Sequence, residues 1–231
     1  YFGYSPYIRE MNIWIKYADE VIIVAPIIKE EITAIHQKYT HSNINFFQVK
    51  EFSKIGFWNS FKALFSIPKI LYTIYVAMSK ADHIHLRCPG NVGLLGSIVQ
   101  ILFPKKKKTA KYAGNWDSKS NQPLSYRLQK WILSNTFLTK NMQVLVYGKW
   151  EDQSKNIKPF FTATYSEKEI KKSDFKKSDF QNGIKFLFVG TLSPGKQPLY
   201  ALQIVHKLVQ KGYSATIDFY GEGNQKELLK D

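Results

Sequence analysis

Cysteine is all but missing from the 231 residues: Cys88 stands alone, which excludes an intrachain disulfide framework and a cysteine-rich zinc site. Acidic side chains are scarce as well, 18 against 33 lysines and arginines, leaving a formal net charge of +15. No uninterrupted apolar run of roughly 20 residues occurs, the length a membrane-spanning helix needs. The most lipid-like stretch, residues 61–78, is broken by Lys62, Pro68 and Lys69. The chain opens on Tyr1 with no basic segment, apolar segment and small-residue cleavage site in succession, so no signal peptide is read. These absences give the expectation of a cytoplasmic protein.

What is present is material for a packed core: 44% of residues are hydrophobic and 15% aromatic. The positive charge has a bland reading, solvated basic faces, and sharper ones: phosphate-bearing ligands, an anionic membrane surface or nucleic acid. The lysines bunch at residues 105–108 and 168–177, and neither run carries the interleaved aromatics or the glycine signature of a nucleic-acid module. Nucleic acid is therefore not an expected partner.

Short β-rich runs alternate with longer helical patterns, the arrangement of a parallel sheet with crossover helices, so the predicted class is α/β. Strands are predicted at 21–25, 44–49, 83–86, 109–113, 144–147 and 160–165, with helices at 6–17, 29–38, 58–79, 92–103 and 123–139. Residues 166–183 are almost wholly polar and hold a tandem repeat, Lys-Lys-Ser-Asp-Phe twice over at 171–180, which reads as a linker. A strand at 184–189, a helix at 199–211 and a strand at 215–220 then form a β-α-β unit. Residues 1–165 are thus predicted to be a Rossmann-like domain and 184–231 the start of a second, fewer than the roughly 100 residues an independent doubly wound domain takes.

The segment richest in chemistry is Phe188-Val189-Gly190-Thr191-Leu192-Ser193-Pro194-Gly195-Lys196, together with Gly221-Glu222-Gly223 after the next strand. Glycine lets the chain turn sharply off a strand, and backbone N–H groups at the mouth of a sheet can hold a diphosphate, with Lys196 adding a cation. Taken alone the loop also fits an ordinary strand–helix turn with a solvated lysine.

Strand, Gly-x-Leu, a short loop with Lys, helix, strand and Gly-x-Gly in this order closely resembles the opening of the nucleotide-sugar domain in retaining glycosyltransferases of family 4. The resemblance is at motif level over residues 184–223 and at pattern level over most of the chain. It implies the GT-B architecture, two Rossmann-like domains, and transfer of a sugar from a nucleoside diphosphate sugar to an acceptor hydroxyl in polysaccharide or glycolipid biosynthesis. Gly190, Leu192 and Lys196 match the family's loop, while Thr191 stands where the family often has an arginine. The implied donor-diphosphate residues are Gly190, Thr191 and Lys196, with Gly221 and Gly223 on the nucleotide side. The acceptor domain is implied to begin just after its first strand, Gly3 being the end of that strand's loop. Neither Asp-x-Asp nor the family's Glu-x7-Glu occurs, so no cofactor or metal is expected, the catalytic residues are not identified, and the fragment itself is expected to be inactive.

Turns after the other strands supply candidates for the acceptor side: Arg87 for a phosphate, Trp116 to stack on a sugar ring, and Asn115 for hydroxyls, with Tyr147 a weaker candidate. Each also fits a structural loop residue. A lipid-linked acceptor would suit a basic protein resting on an anionic membrane face through the aromatic segment 57–65. His83 and His85 share a strand face without an evident third metal ligand, so a structural pair is expected, and Cys88 is assigned no nucleophilic role. Two other functions stay open, a GT-B sugar-nucleotide epimerase and a non-catalytic Rossmann-like binding domain.

Overall fold

The computed structural model describes residues 1–29, 31–33, 35–51, 57–117, 119–161, 165, 167 and 183–230, with the backbone alone over 57–65. The chain divides into two compact units, Tyr1–Glu169 and Ile170–Asp231. The 171–180 repeat and the aromatic side chains of 57–65 lie outside the described parts.

The first unit is built on parallel strands. β2 (Val21–Ala25) pairs in parallel with β4 (Ile44–Gln48), Val21 opposite Ile44. A four-stranded all-parallel sheet runs β5 (His83–Cys88), β6 (Lys107–Tyr112), β7 (Met142–Val146), β8 (Ile157–Pro159). Parallel neighbours require crossover connections, and helices supply them: α2 (Phe57–Lys80) before β5, α3 (Asn91–Val99) before β6 and α4 (Leu124–Ser134) before β7. α1 (Ser5–Trp14) precedes β2.

Each element follows from its apolar spacing. On α2, Ile70, Ile74, Ala77 and Met78 recur at helical intervals and are all buried. β5 alternates, with Ile84, Leu86 and Cys88 in the core while His83 and Arg87 are exposed. The core is the junction of the sheet with α2, α3 and α4, where Val99, Ala110, Tyr112, Leu133, Val144 and Val146 meet. α3 lies so close to β5 that a Cβ on Gly93 would come within 2.3 Å of the Arg87 carbonyl oxygen. Any side chain at this position would push helix and strand apart. Pro159 falls on β8, the outer strand of the sheet, where a missing N–H is tolerated.

Three expected elements differ. The helix predicted over 123–139 ends at Ser134, where the Asn135 N–H closes on the Trp131 carbonyl. The helix predicted over 29–38 is absent from its end: His36–Lys38 forms β3, antiparallel to β1 (Phe2–Tyr4), with Gly3 opposite Gln37. Within that stretch Ile32 and Ile35 are exposed, so they give a helix no buried face. Residues 30 and 34 lie outside the described set. The strand predicted over 160–165 comes earlier, at Ile157–Pro159, with one further bond from the Phe160 N–H to the Val146 carbonyl. Phe161 is exposed, and residues 162–164 are not described.

The lysine run at 105–108 is less solvated than its composition suggests. Lys106 Nζ donates to the carbonyls of Met78, Ser79 and Ala81 at 2.5–2.8 Å, closing the C-terminal end of α2. Lys108 Nζ, on a residue only 2% exposed, donates to the carbonyls of Gln100 and Phe103 beyond α3. Both cations occupy the negative end of a helix, where unpaired carbonyls collect.

The second unit is a β-α-β unit. β9 (Ile184–Val189) and β10 (Ala215–Tyr220) pair in parallel, Ile184 opposite Ala215, around α5 (Pro198–Gln210). Gly212, at a φ of +86°, ends α5 in the left-handed conformation, and the Tyr213 N–H returns to the Leu208 carbonyl.

Candidate functional site

Beyond the carboxyl ends of β9 and β10 the two glycine segments are joined backbone to backbone. The Gly190 N–H donates to Tyr220 at 3.0 Å, the Leu192 N–H to Glu222 at 2.9 Å, and the Gln225 N–H back to Leu192 at 3.0 Å. The contact is close enough to dictate the residue type. A Cβ on Gly221 would sit 1.8 Å from the Gly190 oxygen, and one on Gly223 2.2 Å from the Leu192 oxygen. Gly190 has a φ of +154°, open to glycine and costly for other residues. Gly221 and Gly223 thus have a packing reason apart from any ligand.

The join sorts the side chains of the loop. Leu192 points inward and is 2% exposed, whereas Thr191 and Lys196 are exposed. A short turn, Pro194–Lys196, carries the chain to Gln197, whose φ of +56° redirects it into α5 at Pro198. The first turn of α5 has neither a side-chain cap nor an acidic residue. Pro198 brings no N–H of its own, and the positive helix end, with a lysine two residues before, forms a surface that favours an anion.

In the first unit, Arg87 is exposed at the end of β5 with its guanidinium 4.9 Å from the centre of the Tyr7 ring. Tyr7 hydrogen-bonds Tyr39, and burial raises both phenols above their usual range. A cleft of about 580 Å³ opens beside these groups, bordered by β2, β5 and the Pro89-Gly90-Asn91 turn. Asn115 and Trp116 do not line it. Asn115 is exposed and its side-chain oxygen accepts the Asp117 N–H at 2.9 Å, a turn-forming contact.

Trp116 requires a correction: it is 3% exposed, its indole N–H donates to Gln153 at 2.8 Å, and Tyr112 meets it edge-on at 5.0 Å. The Lys130 ammonium lies 5.4 Å from its ring centre. Both the ring and its polar atom are engaged in the core, so Trp116 is a packing residue in this structure and not a surface for a sugar. Tyr147 is exposed, with the Lys111 ammonium 5.3 Å from its ring centre.

His83 Nε2 and His85 Nδ1 share the Thr109 hydroxyl at 3.0 and 2.8 Å. Among the described residues no group of three potential metal ligands occurs. Burial, followed by the nearby cations of His83, Arg87 and Lys111, lowers the His85 pKa to about 4. Burial pushes the Cys88 thiol up to about 12, and Gln129 donates to its sulfur at 3.2 Å. Such a thiol stays protonated at neutral pH, consistent with a packing role.

One charged contact was invisible in the sequence. Lys111, 2% exposed on β6, pairs with Glu10 on α1 and lies between the rings of Tyr147 and Phe160, 5.3 Å from each centre. The partners are far apart in the chain, and only the position of a lysine between Ala110 and Tyr112 in a core strand hinted at a buried partner.

Among the described residues no helix is long and apolar enough to cross a membrane. No known family model and no curated protein matches this chain.

Proposed function

We propose that the chain is part of a glycosyltransferase of GT-B architecture that uses a nucleoside diphosphate sugar. The observation that carries this reading is the arrangement after β9, where joined glycine loops leave Thr191 and Lys196 exposed beside the uncapped first turn of α5. It supports the reading because the departing group in such a transfer is a diphosphate, whose growing charge is stabilised by fixed N–H donors and a cation. In this reading Lys196 pairs with the diphosphate, Thr191 adds a neutral hydroxyl, and the head of α5 adds its positive helix end. Arg87 and Asn115 belong to the acceptor side. The acceptor is a sugar or lipid-linked sugar, and a basic surface would hold the protein at an anionic membrane.

Titrating the 231-residue chain with UDP and with GDP by calorimetry tests the proposal. Binding of one of them is expected, weakened about tenfold by Lys196→Ala, which corresponds to roughly 1.4 kcal/mol. Failure of both nucleotides to bind, or binding that Lys196→Ala leaves unchanged, would overturn it.

A further inference from the structure

The outward side of α3 is apolar where a solvated helix carries polar residues. The helix and the turn that continues it, Gln100–Leu102, read Asn-Val-Gly-Leu-Leu-Gly-Ser-Ile-Val-Gln-Ile-Leu, and past Asn91 the two polar residues, Ser97 and Gln100, are both buried. Leu94, Ile98 and Leu102 are left to face out, four residues apart; Ile98 and Leu102 are exposed and Leu94 is half-buried. A helix that is apolar on all sides is ordinarily covered on all sides.

α4 extends the same surface. It lies beside α3: a Cβ on Gly93 would come within 3.2 Å of the Gln129 amide nitrogen, and the Gln100 side chain donates to the Leu138 carbonyl at 3.2 Å. α4 turns Gln129, Ile132 and Leu133 into the core, while Leu124, Leu128 and Trp131, at intervals of four and three, are exposed, the Trp131 residue by 60%. Two adjacent helices thus turn six apolar side chains away from the sheet. A strand added to the sheet would not cover them, because the buried faces of both helices stand between.

Charge selects what does cover them. From His83 to Trp150 the sequence has one acidic residue, Asp117, and eleven lysines and arginines. Arg127 is exposed on α4 three residues from Leu124 and four from Trp131, on their side of the helix. Lys105 is exposed three residues past Leu102, and Lys140 is exposed with its ammonium 5.1 Å from the centre of the exposed Phe137 ring. Leucines and a tryptophan rimmed by long basic side chains suit the boundary of an anionic bilayer, where the apolar groups enter the acyl region and the cations reach the phosphates. A two-fold contact with a second copy would instead set these cations face to face. We propose that the outer side of α3 and α4 is a docking surface for an anionic lipid bilayer, entered by Leu102, Leu128 and Trp131 and held by Lys105, Arg127 and Lys140. It gives the membrane contact of the proposed function a place in the first unit, and it rests on that contact but not on the nucleotide site of the second.

The test is co-sedimentation of the full chain with vesicles of phosphatidylcholine alone or in equal mixture with phosphatidylglycerol. Binding to the mixed vesicles is expected, about tenfold tighter than to phosphatidylcholine. Leu128→Glu with Trp131→Glu should weaken it about tenfold, while Tyr17→Glu with Phe161→Glu, the same charge change at exposed positions elsewhere, should stay within about twofold. Acyl chains carrying bromine should quench the tryptophan emission, and Trp131→Phe should remove that quenching. No binding to the mixed vesicles, equal loss in the two paired variants, or quenching that survives Trp131→Phe would each overturn the proposal. Dimerisation without vesicle binding, abolished by Leu128→Glu with Trp131→Glu, would overturn it too and assign the face to a second copy. UDP and GDP titrations of the same variants keep the two readings apart: nucleotide binding unchanged while vesicle binding fails leaves the donor site standing.

Discussion

His85 shows how a single side chain ties burial to pH. It lies 4.6 Å from the Trp14 ring, bonded to Thr109, and a proton there would face His83, Arg87 and Lys111 without a carboxylate to offset it. Its pKa of about 4 in the folded chain is below the 6.5 of an open histidine. The unfolded chain therefore binds the extra proton first, and stability present above pH 6.5 is lost as pH falls toward 4. The expected loss is about 2 kcal/mol between pH 7 and pH 5, read from urea unfolding at each pH. His85→Gln should remove most of that slope; an unchanged slope would mean that other groups cause it. The alternation of His83 and His85 was legible in the sequence, but the shared Thr109 hydroxyl comes from a neighbouring strand and was not.

The β9–α5–β10 element is where sequence and structure agree most fully, and the reason is local. β9 is an apolar and aromatic run broken only by Lys185, β10 alternates with Thr216 and Asp218, and each is closed by glycine, so the bounds 184–189 and 215–220 were both correct. β2 was legible for the same cause, as a five-residue apolar run ending at Pro26. β3 was not, because only its backbone pairing with β1 defines it, and such pairing leaves no periodic trace in short polar segments. Gly221 and Gly223 have a second reason beside the ligand loop that their spacing suggests: the carbonyls of Gly190 and Leu192 forbid a side chain at either position. Gly221→Ala is accordingly expected to destabilise this unit by about 2–4 kcal/mol, whereas Gly195→Ala, with open space around it, should stay within about 0.5 kcal/mol. Chemical denaturation followed by exchange at the β9 and β10 amides separates the two, and equal effects would contradict the close approach of the loops.

At the scale of the whole molecule, a formal charge of +15 overstates what a partner meets. Lys106 and Lys108 close helix ends, Lys130 donates to the Trp116 and Asp117 carbonyls, and Lys111 is neutralised by Glu10. No count of basic residues could reveal this, because the acceptors are main-chain oxygens set in place only by folding. The buried lysines also divide the chain's amines into fast and slow groups toward an acylating reagent. Burial brings the Lys108 pKa down to about 8, which leaves more of it as free amine than an ordinary lysine at mild alkaline pH, yet at 2% exposure the reagent cannot reach it. Mass-spectrometric labelling should find Lys196 modified within the first minutes and Lys108 and Lys111 only at the rate at which the first unit opens; early labelling of Lys108 would refute its burial. The two shielded ammonium groups would then serve as an internal clock for unfolding, one that needs no introduced probe.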